Sequence, residues 1–294
     1  MSATEAQVTA SIQSRFDAWV EAWPGHATRF GLHQHDGRLP DLSRDATEAD
    51  VAVEHAFVRE LEAFDPAELG DQVAFERELA LHSARLRLFE AEVVRNWERV
   101  PDASDEIGTA LFLLAAREFA PLDERLGAMT ERIEGIPTAL VQVHDRLGDD
   151  PVRRWIEQEA MSARELPTLL GEIVASAEGV WRDGSGEMVR LRRAVEAGEA
   201  ALYDYAAWIE RQLGRCGDRT ALGAAEFDRL MELRAFDGLT TDDILAIGLE
   251  QLELQHEARR EAGRQIDPRL SEAEVVDRVK ADGPADFETA LAAY

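Results

Sequence analysis

The sequence predicts an all-α fold, a multi-helix array of about ten helices with one long N-terminal loop at about residues 23–45. Helix-start signals recur along the chain, and apolar residues recur at three- and four-residue steps. No segment shows the alternating pattern of a β-strand between turn residues. The nearest approach to a strand, residues 139–143, lies inside a helical period.

The first clear helix start is the segment Asp65–Glu68. It places an N-cap aspartate before a proline at the first helical position and a carboxylate in the first turn. Apolar residues from Val73 onward keep helical spacing, which predicts a long amphipathic helix reaching about Trp97.

Asp150-Pro151 repeats this start signal ahead of Trp155. Pro167 follows inside the same apolar stripe, which continues beyond it through Ile173. We therefore expect Pro167 to kink this helix without ending it.

Two capping boxes mark later helices. The box Thr240–Asp243 opens a predicted helix from Ile244 to about Ala262, and the box Ser271–Glu274 opens one from Val275 to Lys280. Glycines indicate where helices end; they are Gly148, Gly184, Gly186, Gly214, Gly217 and Gly238.

Large aromatic residues fall within the helical stretches, which predicts that they belong to the core rather than to a ligand-binding box. They are Trp97, Phe112, Phe119, Trp155, Trp181, Trp208, Phe227 and Phe236.

Composition limits the function classes. With 294 residues, 45% of them hydrophobic, the chain can bury a sizeable core, and we expect a single all-α domain over residues 1–294. The net charge of −27 disfavours nucleic acid and anionic membrane surfaces as partners. One cysteine, no signal peptide and no apolar run long enough to span a bilayer indicate a cytoplasmic protein.

Three sequences come close to a metal motif without completing one. His256-Glu257 begins the zinc motif His-Glu-x-x-His, but Arg260 stands where the second histidine belongs. Residues 20–26 have the shape of His-Glu-x-x-Pro-Gly-His with valine in place of the first histidine. Glu253 and His256 form one Glu-x-x-His pair, whereas a di-iron bundle needs two. We therefore predict neither metal ligands nor a cofactor in this chain.

The long loop carries the remaining candidates, because it packs three of the seven histidines into ten residues. The structural interpretation of this segment is that its histidines and aspartate bind local backbone and tie the loop to the helices. The functional interpretation is contact with a substrate. A metal site is a third, weaker alternative. The candidate substrate-binding residues are His33, His35, Asp36 and Arg38.

Nucleophilic catalysis has little support. Cys216 lies in a helix-terminating turn with Arg211, Arg215 and Arg219 nearby, which could lower the pKa of its thiol, but no histidine is close in sequence. The sequence has no Gly-x-Ser-x-Gly elbow and no phosphate-binding glycine loop. We predict no catalytic residue.

Four segments, in order, resemble the bacterial family known as domain of unknown function 885 (DUF885). Residues 24–43 resemble its N-terminal signature, and residues 118–126 with Ile136-Pro137 resemble its Arg-Leu…Ile-Pro segment. Residues 221–223 and 239–248 resemble its Ala-Leu-Gly and Thr-x-Asp-Glu-Ile stretches. The resemblance covers about residues 15–294.

This resemblance implies a mostly helical relative of zincin-type metallopeptidases, typically about twice as long, with the zinc motif His-Glu-x-x-Pro-Gly-His in its second half. The zinc ligands have no counterpart in residues 1–294, so the chain is expected to be the N-terminal half of a two-part fold. Zinc is then expected only if a C-terminal half is present.

The C-terminal segment agrees with a missing half. Phe287, Leu291 and Tyr294 share one face of a short predicted helix, and such a face needs a partner. A truncated gene product or a split protein would have this ending.

Three hypotheses follow. The first is a half-enzyme, inactive alone, that belongs to a hydrolase of peptides or amides and pairs with a missing C-terminal half or another subunit. The second is a non-catalytic helical binding or scaffold module. The third is a complete enzyme that uses His33, His35 and Asp36 without zinc.

Overall fold

The computed structural model describes residues 2–234 and 238–292 and confirms the all-α fold. This part of the chain contains ten helices of ten residues or more and no β-strand. It divides into two compact units, Met1–Leu222 and Gly223–Tyr294. The single domain over residues 1–294 stays a prediction.

The first unit holds nine helices, numbered here in chain order. They are α1 (Ala3–Ala22), α2 (Pro24–Arg29), α3 (Arg44–Glu62), α4 (Asp71–Phe89), α5 (Asn96–Arg99), α6 (Ala103–Ala116), α7 (Leu122–Arg146), α8 (Arg153–Glu178) and α9 (Gly186–Gln212). The second unit contributes α10 (Ala224–Leu233), α11 (Thr241–Ile266), α12 (Glu272–Ala281) and α13 (Phe287–Ala292).

Helix starts follow the predicted caps closely in the second unit. Both capping boxes form, at Thr240 with Asp243 and at Ser271 with Glu274. In each box the side-chain oxygen of the N-cap residue accepts a backbone N–H that the helix leaves unpaired, and the acidic side chain accepts the N–H of the cap.

The Asp-Pro signals act less directly. Asp65 caps a 3₁₀ turn at Pro66–Glu68, and the long helix α4 begins only at Asp71. This helix ends at Phe89 instead of continuing to Trp97, because a π-helical turn and a left-handed residue, Arg95 (φ 54°), interrupt it.

The second Asp-Pro signal precedes α8, which begins at Arg153. Pro167 lies inside α8, and the helix continues to Glu178 as predicted.

The N-terminal loop is shorter than predicted. Residues 24–29 form α2, since Pro24 occupies the first turn, where its fixed φ suits a helix and its missing N–H costs nothing. The irregular stretch is residues 30–43, because Ser43 caps α3 through the backbone N–H of Ala46.

Two apolar clusters form the core of the first unit. The larger lies among α6, α7, α8 and α9, with α9 packed against both α7 and α8. The smaller lies among α1, α3 and α4. Gly198 of α9 is buried where these helices are close, since a Cβ there would lie 3.4 Å from Ile136 Cδ1 and 3.7 Å from Leu170 Cδ1.

The prediction that the large aromatic residues form the core is wrong for most of them. Phe112 is 59% exposed, Trp155 40% and Phe119 37%. Trp97, Trp181, Trp208 and Phe227 are only half-buried. The core is built from smaller aliphatic side chains on long helices, and bulky rings lie at its margins. Phe236 lies outside the described residues.

The second unit buries little apolar surface. Its buried hydrophobic side chains among the described residues are Met231 and Val275. Phe287 and Leu291 are exposed, at 79% and 65%, and Tyr294, predicted to share their face, lies outside the described residues.

None of the described helices is both long enough and apolar enough to cross a bilayer. The cytoplasmic location stays a prediction.

Candidate functional site

Side chains of α7 hold the irregular stretch of residues 30–43 in place. Gln142 accepts the backbone N–H of Leu42 at 3.0 Å and donates to the Asp41 carboxylate at 2.8 Å. Arg146 donates to the Leu42 carbonyl at 3.3 Å. These contacts satisfy polar backbone groups that helices elsewhere satisfy internally.

Arg132 of α7 is the central contact of this arrangement and is completely buried. Its guanidinium donates to the carbonyls of Arg38 and Ala110 and, at 2.7 Å, to the Thr28 hydroxyl, so it joins the loop, α6 and α2. Burial lowers the pKa of Arg132 to about 10, while Asp36 and Glu106 act in the opposite direction. Arg132 therefore remains charged at neutral pH.

Asp36 lies beside this arginine and is itself buried. Its Oδ1 accepts the Thr28 hydroxyl at 2.6 Å and lies 4.0 Å from Arg132 Nη2, and its Oδ2 lies 2.8 Å from His33 Nδ1. Both carboxylate oxygens are thus engaged within the protein. Asp36 connects the loop to α2 and orients His33.

His33 is the most accessible member of this cluster. Its ring stacks on Phe119, with centroids 3.7 Å apart and planes 10° from parallel, and a third of its side chain is exposed. Because Asp36 occupies Nδ1, Nε2 is the nitrogen that a ligand would meet. A carboxylate behind an imidazole fixes its orientation, an arrangement that suits hydrogen bonding or proton transfer at Nε2.

The structure brings His33 and Asp36 together but adds neither His35 nor Arg38 to the pair. His35 is half-buried, and its side chain forms no hydrogen bond or ion pair with a described residue, while its backbone carbonyl accepts the N–H of Arg38 at 3.0 Å. The exposed Arg38 guanidinium lies 3.7 Å from Glu21, and the Arg38 carbonyl accepts from Arg132.

The incomplete metal motifs do not gain ligands from the fold. Arg260 forms an ion pair with Glu253 at 2.9 Å, so the carboxylate of the Glu-x-x-His pair binds an arginine. His26 packs against Trp19 and Trp23, and burial lowers its pKa. Within residues 2–234 and 238–292, no three His, Cys, Asp or Glu side chains are grouped to hold a metal ion. These residues do not fit a zinc site.

Cys216 is half-buried, and its thiol donates to the Gln212 carbonyl at 3.2 Å. Burial raises the thiol pKa, and this effect exceeds the lowering by Arg153 and Arg215. A raised pKa disfavours the nucleophilic thiolate, so the arginines do not activate this cysteine.

Glu159 of α8 is a buried acidic residue outside the sequence-predicted candidates. Its Oε1 accepts both the backbone N–H and the hydroxyl of Ser104, at 3.0 and 2.9 Å, and so caps the N-terminus of α6 from another helix. Burial raises the pKa of Glu159 to about 8, against the effect of Ser104. One sequence signal existed: Glu159 stands on the apolar stripe of α8 between Ile156 and Ala163.

Two buried donors lie near this carboxylate. The Tyr205 hydroxyl and Arg146 Nε have no hydrogen-bond partner within the part of the chain that the structure describes. Burial and the Glu159 carboxylate raise the pKa of Tyr205. Burying a polar group without a hydrogen-bond partner costs free energy. We therefore expect the stability of this cluster to depend on whether Glu159 is protonated.

Comparison with solved structures supports the fold. The chain is similar to a protein described as "a putative lipoprotein of unknown function" from Shewanella oneidensis, with a TM-score of 0.72 and 14% identity. The match covers 96% of this chain and 50% of that one, so the chain spans about half the length of the structure it matches. At this identity the likeness establishes the fold alone.

Comparison with known sequences establishes the family. No curated protein matches the chain. The profile of the family described as "Bacterial protein of unknown function (DUF885)" matches residues 24–293, which include the loop, Arg132 and Glu159. The chain therefore belongs to the DUF885 family of bacterial proteins.

Proposed function

We propose that this chain forms the helical wall of a two-part hydrolase for peptide or amide substrates and that it does not hydrolyse them alone. The proposal extends the zincin-like character implied by the DUF885 resemblance. Zinc and the general base would come from a second polypeptide segment, since the described residues do not fit a zinc site.

The observation that carries this proposal is the exposed apolar surface of α11. Leu245, Leu249 and Leu252 follow one another at four- and three-residue steps and are 57%, 58% and 52% exposed. Ile247 and Leu254, on the opposite face, are 48% and 49% exposed. A helix that is apolar on two faces is normally buried, since covering one such side chain gains about 1.5–3 kcal/mol. A partner polypeptide would supply that cover.

The loop would contribute substrate contacts. His33 presents Nε2 beside Phe119, and Arg38 offers an exposed guanidinium. The half-buried His35 would be a third contact, whereas the buried Asp36 would act by orienting His33. In this proposal the four residues bind and position a substrate and take no covalent part.

Metal analysis tests the catalytic part of this proposal. We expect the purified chain, after dialysis against a chelator and then against zinc-free buffer, to retain no stoichiometric zinc and to cleave no peptide in a mixed peptide library. One zinc ion retained per chain, or cleavage that survives dialysis, would contradict the half-enzyme.

Sedimentation velocity with a hydrophobic dye tests the partner surface. We expect the chain to bind the dye and to self-associate, and the double variant Leu249→Gln/Leu252→Gln to lose most of both properties. The matched control, Glu250→Gln/Glu257→Gln, changes polar positions on the same helix and should behave like the unaltered chain. A monodisperse monomer without dye binding would favour the alternative below.

The alternative is a non-catalytic helical binding or scaffold module. It is favoured by the loop, where Asp36 and Arg132 have internal hydrogen-bond partners and hold the fold together. The third hypothesis, a complete enzyme using His33, His35 and Asp36, requires that alanine at these positions abolish activity on a substrate that the chain alone turns over. The expected lack of nucleic-acid and membrane partners stays a prediction.

A further inference from the structure

A pocket of about 400 Å³ opens on the first unit among α1, α3 and α4. Its volume lies in the range of small-ligand sites, roughly 300–1,000 Å³. Aromatic and aliphatic side chains form most of its lining, with a few polar groups among them. The lining includes Phe16, Trp19, Phe30, Phe57, Leu79 and Arg87.

The walls of this pocket expose apolar surface that a ligand would cover. Phe30 is 64% exposed, Leu79 54% and Phe16 42%. The Trp19 ring is tilted against Phe16 and Phe30, with centroids 6.2 and 6.1 Å away. Aromatic rings that meet at an angle accept a flat ring as an additional partner by edge or offset contact.

Two arginines form the charged end of the pocket, where the Glu54 and Asp50 carboxylates balance their two positive charges. Arg15 and Arg87 both bind the buried Glu54, with Nε–Oε distances of 2.7 and 2.9 Å, and Arg15 also binds Asp50 at 2.8 Å. Arg15 is 8% exposed, so its charge is held in place by the fold. Arg87 is 39% exposed, and its Nη1 forms no hydrogen bond with a described residue.

The other charged residue of the lining is Glu76, which accepts a hydrogen bond from the neutral Gln72 amide at 2.8 Å and keeps its negative charge. Glu76 stands about three helical turns before Arg87 on α4, so it lies away from the guanidinium. Ser83, between them, adds a hydroxyl that can donate or accept. A guanidinium with a free nitrogen at the edge of an apolar pocket suits a carboxylate, which accepts charge-assisted hydrogen bonds.

We propose that this pocket binds a small aromatic monocarboxylate, with its ring among Phe16, Trp19 and Phe30 and its carboxylate on Arg87. This binding function goes beyond the hydrolase half proposed above and does not depend on it, because the pocket is formed entirely by residues of the first unit.

Calorimetric titration of the full chain tests the charged end. The probe is 2-naphthoate, and its uncharged counterpart is 2-naphthylmethanol. We expect naphthoate to bind with one site per chain and the alcohol to bind about tenfold more weakly, since a hydrogen bond to a charged group is lost. Arg87→Met should weaken naphthoate binding by a similar factor and leave the alcohol unchanged.

Matched variants locate the site. Arg85→Met removes an arginine of the same helix that pairs with Glu62 and does not line the pocket, so it should leave binding unchanged. Phe30→Ala should weaken both probes about fivefold, whereas Phe75→Ala, which truncates a ring on α4 outside the lining, should not.

Three results would overturn the proposal: no naphthoate binding, equal affinity for the two probes, or loss of binding in Phe75→Ala but not in Phe30→Ala. The comparison of probes on the unaltered chain stands even if Arg87→Met fails to fold. Binding with these variant effects would survive a negative outcome for the two-part hydrolase.

Discussion

Charged side chains on apolar stripes are the residues through which this fold depends on solution conditions. Arg132 stands between Met129 and Ile136 on α7, and Glu159 stands between Ile156 and Ala163 on α8. The sequence shows each as an interruption of a helical period. Such a residue can point into the core only if it finds a polar partner there. Arg132 donates to the loop carbonyl of Arg38, and Glu159 accepts from the N-terminus of α6.

Glu159 makes stability depend on pH. Its folded-state pKa of about 8 exceeds its ordinary value of 4.5, so the folded protein retains this proton where the unfolded chain releases it. The stabilisation is complete below the lower pKa and is lost as pH rises through the upper one. We expect the free energy of unfolding to fall between pH 5 and pH 9 by about 1–3 kcal/mol more in the unaltered chain than in Glu159→Gln.

Glutamine keeps the oxygen that accepts from Ser104, and its amide N–H can donate to the Tyr205 hydroxyl oxygen. We therefore expect the variant to fold. Urea denaturation followed by circular dichroism across this pH range measures the difference. Glu157→Gln, at an exposed position of the same helix, is the control and should keep the pH dependence of the unaltered chain. An identical pH profile for Glu159→Gln and the unaltered chain would show that Glu159 is not the responsible group.

At the scale of helices, local chemistry set the helix starts more reliably than the ends. Thr240 and Ser271 cap their helices as predicted, since both partners of a capping box lie within four residues of each other. Asp65 caps only a 3₁₀ turn. Helix α4 ends before the predicted Trp97, at a π-helical turn that no sequence pattern predicted.

Gly198 of α9 is a position where the packing of neighbouring helices limits the size of the side chain. A Cβ there would meet Ile133, Ile136 and Leu170 at 3.4–3.7 Å, which is ordinary contact. We expect Gly198→Ala to stabilise the protein by about 0.5–1 kcal/mol through lower backbone entropy in the unfolded chain. Gly198→Val should destabilise it by about 1–3 kcal/mol, because further methyl groups would overpack this crossing.

Thermal and urea unfolding measure both changes. Gly171→Ala, at an exposed position of α8 with no atom within 4 Å of the added Cβ, is the matched control for helix propensity alone. Equal effects of valine at the two positions would mean that the crossing tolerates larger side chains than its geometry implies.

The whole molecule divides its apolar surface unequally. Both core clusters belong to the first unit, whereas the second presents α11 with no buried residue. We expect a variant ending at Leu222 to keep cooperative unfolding with a midpoint within about 5 °C of that of the full chain, because it retains both clusters. Circular dichroism melting measures this outcome.

The same variant also tests association. Because it lacks α11, it should bind less hydrophobic dye than the full chain. A shortened chain without a cooperative transition would show that the first unit does not fold independently.

The sequence by itself determined the helical class, the capping boxes and the resemblance to the family, because each rests on residues that are close in the chain or on their order. Only the tertiary structure decided that residues 24–29 are helical, that Asp36 is hydrogen-bonded to both Thr28 and His33, and that Glu159 caps α6. Glu159 and Ser104 are 55 positions apart, and Arg132, which holds Thr28 of α2 beside Asp36, is 104 positions from Thr28. The periodicity of apolar residues predicts which face of a helix is buried. Which residues contact that face is determined only when the helices pack.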